Sequence, residues 1–477
     1  MKDRLDSLVL FLLSLFLRLV LWVFSSVVFP LFYAVPFIEK FNIAGASNYP
    51  NKLVEEVVNA ADVTDICHAH GYEVQEHVVK TQDNYLLTIH RILNPEFRSS
   101  TIDKEKVVYF HHGLLTNSEL FLLGETTGKC LPFLLADRGY DVWLGNNRGN
   151  KYSRKHINLS SKDVKFWDFS LDEYAIFDIP DTLKYILDTT LAGQLTYIGF
   201  SQGSSQALAA FSINPQLRHR VRLFVGLSPP LIPRSLSHPV ARFLVRSSAE
   251  LLYCIFGRRA ILPFVVICQK LLGPINYMRV VDRSLIYLFN WKSKRINETQ
   301  KQVGYTHMFS PSSVKSVVHW FQIINNKRFQ MYQEEISRLY ASLPSLHGKL
   351  HRCAPFPVQV IEKMPMMLMY GTDDILIDMD LTQQKLKGNM GDVTLHPLAG
   401  YEHMDPLWAD DVVDQVFTPI IERIEELHAF TNSTGKSSPD SKSLSEAATV
   451  FPETNATSMY MSCMGKNLDV PTSKLSL

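Results

Sequence analysis

The sequence predicts an α/β protein with a mostly parallel central sheet flanked by helices, an inserted helical cap and a preceding N-terminal membrane anchor. Three observations carry this expectation. First, the runs Val107–Phe110, Asp141–Leu144, Leu195–Phe200, Leu223–Leu227 and Met366–Tyr370 are short and almost uniformly apolar, as expected of strands buried on both faces. Second, helix-period segments such as Asp172–Leu187 lie between them, and strand–helix–strand repetition implies a doubly wound sheet. Third, strand signals lapse from about residue 230 to 345 while helical patterns continue, which marks an insertion.

Composition narrows the function classes. Lys+Arg number 48 and Asp+Glu 47, for a net charge of +1. That balance excludes a nucleic-acid binder, which needs cations to displace counterions. With 46% hydrophobic and 20% charged residues, the chain is globular rather than wholly disordered. Its six cysteines include no C-x-x-C pair and make no disulfide framework, although a Cys254–Cys268 bridge stays open. Cys67, His68 and His70 sit close together in sequence, but no second ligand pair accompanies them and no metal is expected.

Between Asp6 and Glu39 the only charge is Arg18, and Leu19–Ile38 carries none. A run of that length can cross a bilayer core of about 30 Å. It exceeds the apolar core of a cleaved signal peptide and ends without a small-x-small site. Residues 1–40 are therefore expected to be a retained anchor, either a single-pass signal-anchor or, given Pro30 and Pro36, a hairpin. The location implied is the endoplasmic reticulum, the plasma membrane or a lipid droplet. Sequons at Asn158, Asn297, Asn432 and Asn455 are three-residue patterns that recur by chance and carry little weight. After the anchor the expected organisation is a first core part over 55–229, the cap over 230–345 and a second core part over 346–430. A Ser/Thr-rich disordered tail is expected over 431–477.

The chemistry is concentrated in three places. Gly199-Phe200-Ser201-Gln202-Gly203 follows an apolar run and precedes the helix-like Ser204–Phe211. A Gly-x-Ser-x-Gly between strand and helix puts the serine on a sharp turn with its hydroxyl above the sheet edge. A hydroxyl is a weak nucleophile at neutral pH and needs a base, oriented by a carboxylate that lies between the two in sequence. Asp373, Asp374 and Asp378 follow the run Met366–Tyr370 and compete for the acid. His403 lies in a loop before a helix-like stretch, whereas His396 sits inside a strand pattern and reads as structural. Two N–H donors must also face the developing oxyanion. One is that of Gln202, after the nucleophile. The other is that of Leu114, in the His111-His112-Gly113-Leu114-Leu115 turn after Val107–Phe110. Two adjacent histidines could suggest a metal, but neighbours on an extended segment point apart.

These pieces together resemble a known family. From about Ala61 to His428 the chain is similar to the acid lipases of the α/β-hydrolase fold, which include gastric and lysosomal lipases and fungal steryl ester hydrolases. The matching stretches are Gly71-Tyr72, Thr81–Leu87, the His112–Leu115 turn, Asp141–Asn150 with Ser153-Arg154, Phe166–Ser170, Gly199–Gly203, and Tyr401-Glu402-His403 with Asp405. The resemblance implies that the acid occupies the fourth position of Gly-x-x-Asp-x-Leu-x-Asp, here Asp374. The implied triad is Ser201, Asp374 and His403, with Leu114 and Gln202 as oxyanion hole and no cofactor or metal. The apolar N-terminus and polar tail look more like the membrane-anchored fungal steryl ester hydrolases, which favours steryl esters over triacylglycerols. The partners implied are a water-insoluble ester and a membrane or lipid-droplet surface. The dense apolar segment Leu251–Ile275 then reads either as cap core or as an acyl or sterol channel.

Overall fold

A computed structural model describes residues 49–96, 104–234, 238–261, 265–334, 353–386 and 392–434. Nine strands form its main sheet, the short Lys155–His156 and eight more: β1 (Glu73–Lys80), β2 (Tyr85–Leu93), β3 (Val107–His111), β4 (Asp141–Leu144), β5 (Leu195–Phe200), β6 (Val221–Leu227), β7 (Met366–Gly371) and β8 (Val393–Leu398). Their order is β1-β2-β4-β3-β5-β6-β7-β8. The antiparallel pairings all involve β2, which pairs with β1, β4 and the short Lys155–His156 strand. From β4 to β8 every pair is parallel. The five apolar runs read from the sequence all fall on strands of this parallel part.

Burial explains their composition. Every residue of β3, β4 and β5 is buried, because helices cover both faces. Successive side chains enter opposite layers. Phe110, Leu144, Ile198 and Val225 point into one layer, and Tyr109, Trp143, Tyr197 and Phe224 into the other. The edge strands β1 and β8 are mostly exposed or half-buried and so lack the uniform apolar signature.

The helices that place the site are α1 (Lys52–Asn59), α2 (Val63–Ala69), α3 (Leu131–Ala136), α4 (Ile179–Thr190) and α5 (Gln202–Ile213). The expected helix over 172–187 is present but not uniform. A short turn, Leu171–Glu173, opens in a Ser170/Glu173 capping box, and Tyr174–Asp178 is π-helical before α4 begins. The wide turn lets the buried Asp178 carboxylate meet Arg148, whose Nη2 lies 2.6 Å away.

Between β6 and β7 lie α6 (Pro239–Arg246), α7 (Ala249–Phe256), α8 (Val265–Phe289), α9 (Glu298–Met308) and α10 (Val314–Asn326). The α8 ribbon is broken at Gly273, φ 68°, ahead of Pro274. The insertion also holds an antiparallel pair of two-residue strands, Ala260–Ile261 with Ser312–Ser313, too short to leave a sequence signal. Ala249 and Leu252 pack with Val314, Val318 and Tyr332, so the 251–275 segment begins, at Leu252, in the interior of the insertion. Cys254 is not in a disulfide.

The membrane expectation is corrected. The anchor proposed for residues 1–40 lies outside the described residues, and among the described residues no helix is long and apolar enough to cross a membrane. The longest, α8, is broken and contains Lys270, Arg279, Asp282 and Arg283, a charge load that a bilayer core rejects. A membrane localisation, whether endoplasmic reticulum, plasma membrane or lipid droplet, therefore has no spanning helix behind it among the described residues. At the other end, α11 (Thr418–Thr434) continues four residues into the expected tail. Residues 435–477 lie outside the described residues.

Candidate active site

Ser201 sits between β5 and α5 with φ 51° and ψ −123°, a strained backbone for a residue with a Cβ. Its N–H donates to the Leu227 carbonyl of β6 at 2.9 Å, which holds the turn over the sheet edge. The two flanking glycines are required by space. A Cβ on Gly203 would lie 2.2 Å from the His111 carbonyl oxygen and 2.6 Å from that of His112. On Gly199 it would lie 2.7 Å from the Ser204 nitrogen. Gly203 therefore lets helix α5 press against the end of β3, and Gly199 lets the same helix fold back close to β5.

The loops after β7 and β8 bring the other two groups to the same rim. His403 Nε2 lies 2.8 Å from Ser201 Oγ, and His403 Nδ1 lies 2.6 Å from Asp374 Oδ2. With Asp374 ionised, Nδ1 carries the proton and Nε2 is left to accept from the hydroxyl. The second Asp374 oxygen accepts the Leu376 N–H at 2.9 Å, so the carboxylate cannot swing away. The ambiguity among the acids is thereby separated in space. Asp374 is buried. Asp373 is exposed and bonded by the Thr372 hydroxyl. Asp378 accepts from the Leu381 N–H and caps the helical turn Met379–Lys385. His396 pairs with Met369 inside the sheet, away from the rim.

The turn after β3 shows what sequence reasoning missed. His111 ends the strand, so the strand alternation stops there and the two histidine rings stack, with centroids 5.2 Å apart. Both reach Asn147. His111 Nε2–H donates to Asn147 Oδ1 at 2.8 Å, and His112 Nε2 accepts the Asn147 N–H at 3.0 Å. Burial pushes His111 down to about 4 and His112 well below the usual histidine value, so both rings are neutral. His112 Nδ1–H then donates to the Gly113 carbonyl at 2.8 Å, and Thr116 Oγ1 donates to it at 3.0 Å. In a trans peptide the N–H points opposite to the C=O. Holding the Gly113 oxygen therefore fixes the direction of the Leu114 N–H. A Cβ on Gly113 would lie 3.1 Å from Ser201 Cβ, which measures how closely this peptide approaches the serine. The other expected donor is the N–H of Gln202, whose side-chain oxygen is held by Trp320 Nε1 of α10 at 2.7 Å.

The Asp141–Asn150 block supports this turn. Asn147 links His111, His112 and Gln206 of α5. Arg148 is buried, bonded to Asp83 by both terminal nitrogens and to Asp178 by Nε at 2.8 Å, and stacked over Tyr85 at 4.0 Å. Among the described residues no group of His, Cys, Asp and Glu is arranged to hold a metal ion. Cys67 is buried, and His70 Nδ1 lies 3.1 Å from Thr127 Oγ1.

Residues 106–410 match the family model of the alpha/beta hydrolase fold, and residues 63–125 match that of the partial alpha/beta-hydrolase lipase region. The chain belongs to the lipases of the α/β-hydrolase family. It is accordingly a carboxylic ester hydrolase. Among its relatives, "Probable lipase C16A3.12c" of Schizosaccharomyces pombe is 45% identical over 381 residues, covering 80% of this chain and 83% of the relative. The rat gastric triacylglycerol lipase is 30% identical over 361 residues, covering 75% of this chain and 89% of that one. Of solved structures, a soluble variant of monoglyceride lipase from Saccharomyces cerevisiae is similar at 14% identity and a TM-score of 0.42, covering 80% of this chain and 99% of that one. The lipase relatives carry the family assignment.

Proposed function

We propose that this lipase hydrolyses steryl esters, with triacylglycerols as a second substrate class, through a Ser201–His403–Asp374 triad and an acyl-enzyme. The observation that carries the reading is the single imidazole bonded at once to the Ser201 hydroxyl and the Asp374 carboxylate. Ser201 Oγ attacks the ester carbonyl carbon as His403 Nε2 takes its proton. The N–H groups of Leu114 and Gln202 receive the oxyanion. Collapse expels the alcohol, which takes its proton from His403, and water repeats the sequence on the acyl-enzyme. Asp374 keeps the ring in the tautomer that leaves Nε2 free to accept and offsets the cation that forms.

The steryl preference is supported by the resemblance to the fungal steryl ester hydrolases. The triacylglycerol arm is supported by the likeness to the gastric enzyme. A role of the helical insertion in holding the lipid moiety is supported by its contacts to the site, Trp291 on His403 and Trp320 on Gln202.

The test expresses the chain and Ser201→Ala in a host lacking its own lipid ester hydrolases and follows steryl esters, triacylglycerols and acyl thioesters together. Loss of turnover by a factor of roughly 10³ or more in Ser201→Ala is expected. Retained turnover in that variant would refute the nucleophile. A wild-type chain that consumes triacylglycerols or thioesters and leaves steryl esters intact would refute the substrate preference.

A further inference from the structure

Trp291, from the loop between α8 and α9 of the insertion, stacks on His403. The ring centroids are 5.0 Å apart and the planes differ by 10°. Phe200 covers the same imidazole at 5.3 Å, tilted by 52°. Trp291 is itself buried, and Phe289 stacks on it at 4.6 Å.

The contact is built from both sides. Glu402, directly before the histidine, accepts the N–H groups of Lys292 and Ser293 at 3.0 and 2.7 Å. Those residues directly follow the tryptophan. Asn290 and Ser293 bracket the loop with φ 56° and 46°; asparagine tolerates that conformation, whereas Ser293 is held in it by its surroundings. A little further on, Arg295 reaches back to the loop that carries the histidine. Its Nη2 donates to the Ala399 carbonyl at 3.0 Å and its Nε to that of Gly400 at 3.2 Å. Its guanidinium lies 4.9 Å over Tyr401. In return the Asp410 N–H donates to the Arg295 carbonyl at 2.8 Å.

From this juxtaposition we infer that Trp291 is a positioning residue for the general base, and that Glu402 and the 290–295 loop are the clamp that holds it there. The inference rests on His403 being the base of the triad. Two physical effects follow from the stack. An indole lying flat on the imidazole restricts its rotation about χ2, so Nδ1 keeps its bond to Asp374 while Nε2 keeps its bond to Ser201. The face of the indole also carries negative potential. It therefore attracts the ring more strongly once the ring has taken the serine proton and become a cation. Both effects act when the proton moves, and neither touches substrate, so they belong to kcat rather than KM.

The experiment compares Trp291→Leu, Trp291→Phe and Glu402→Gln with wild type on a short-chain chromogenic ester. It measures kcat, KM and the rate of inactivation by a fluorophosphonate, and records thermal midpoints alongside. Trp291→Leu keeps apolar cover but removes the aromatic face. It is expected to lower kcat by about tenfold with KM within about twofold, and to slow inactivation in parallel. Trp291→Phe, which restores a flat ring, is expected to recover most of that loss. Glu402→Gln is expected to lower kcat by a few-fold through loosening of the loop. If Trp291→Leu does not fold, the inference stands or falls on Glu402→Gln and Trp291→Phe, which leave the packed volume nearly intact. It is overturned if Trp291→Leu keeps kcat within twofold, if Leu and Phe lose the same amount, or if the loss lies in KM. It is equally overturned if Glu402→Gln leaves both kcat and the inactivation rate unchanged. Ser201→Ala, run alongside, separates the two readings. An active Ser201→Ala removes the triad itself, whereas an inactive Ser201→Ala beside a fully active Trp291→Leu removes the clamp alone.

Discussion

Two aspartates stand side by side after β7, and replacing each by asparagine gives the sharpest test of the catalytic geometry. Asp374 is buried and receives the His403 Nδ1–H at 2.6 Å and the Leu376 N–H at 2.9 Å. In Asp374→Asn one of these two donors must face an amide NH2. The Leu376 N–H is fixed by the backbone, so the amide oxygen stays there and the NH2 turns toward the ring. Nδ1 can then only accept, and the imidazole proton moves to Nε2, where it faces Ser201 Oγ. A base with its accepting nitrogen already protonated cannot take the serine proton. The expected loss in kcat is about 10³–10⁴-fold, equivalent to about 4–5 kcal/mol of transition-state stabilisation. KM should change little, because no substrate contact is removed. Asp373 is exposed, and its bond is to Thr372. Asp373→Asn should therefore keep kcat within about twofold. Steady-state hydrolysis of a soluble ester by both variants, with thermal midpoints to show that each is folded, makes the comparison. Equal losses in the two variants, or more than a tenth of wild-type kcat in folded Asp374→Asn, would refute the assignment.

Two further predictions concern stability. Arg148→Met leaves Asp83 and the fully buried Asp178 without their cation, and removing one partner from a buried ionic cluster costs about 3–5 kcal/mol. A urea unfolding midpoint that moves by the equivalent of less than about 1 kcal/mol would show that the cluster is energetically neutral. Asp405 is buried, and burial lifts its carboxyl from 3.8 to about 6. The folded protein therefore holds that proton more tightly than the unfolded chain. The stability so gained is fully present below about pH 4 and is lost as the pH rises through about 6. Asp405→Asn imitates the protonated form and can still accept the Glu402 N–H. It should raise stability at pH 7.5 by up to about 3 kcal/mol, with the gain vanishing at pH 4. Thermal midpoints across that range check the sign, and a gain confined to acidic pH would contradict it.

The parts of the molecule that were legible in the sequence are those in which local chemistry dictates local structure. The strands from β3 to β7 are buried on both faces, so their apolar runs stand out against helical periodicity. The Ser201 turn is legible because two backbones approach so closely that Gly199 and Gly203 leave their mark in the sequence. The choice between Asp373 and Asp374 was open to residue-level reading, since neighbours on a turn differ only in which way they face, and the family pattern was what pointed to Asp374. The edge strands were harder, because β1 and β8 are largely solvated and their composition is mixed. His112 carried a misleading signal. Adjacent histidines invite a metal reading, whereas the neutral ring is a hydrogen-bonding strut that fixes the Gly113 peptide. Its neighbour Asn147, in the conspicuous Asp141–Asn150 block, was the available clue that the rings were bound for a protein partner.

The insertion was legible as helical but not in its relation to the site. No spacing rule links Trp291 to His403, Trp320 to Gln202 or Ser310 to Leu115, since each pair is joined by tertiary structure alone. Yet these three contacts meet the proposed base, one of the two proposed oxyanion-donor residues and the neighbour of the other. The indole covers the His403 ring, Trp320 Nε1 holds the Gln202 side chain at 2.7 Å, and the Ser310 N–H donates to the Leu115 carbonyl at 2.7 Å, next to Leu114. The Ser310 hydroxyl accepts the Lys151 N–H at 2.8 Å and ties that corner to the Asn147 block as well. The segment from 291 to 320 is thus mechanically part of the catalytic rim, although it belongs in sequence to the insertion. The first half of the insertion is joined to this corner as well, since Phe289 stacks on Trp291 at 4.6 Å. Moving residues 291–320 would release the His403 imidazole and loosen the turns that carry both proposed oxyanion donors together.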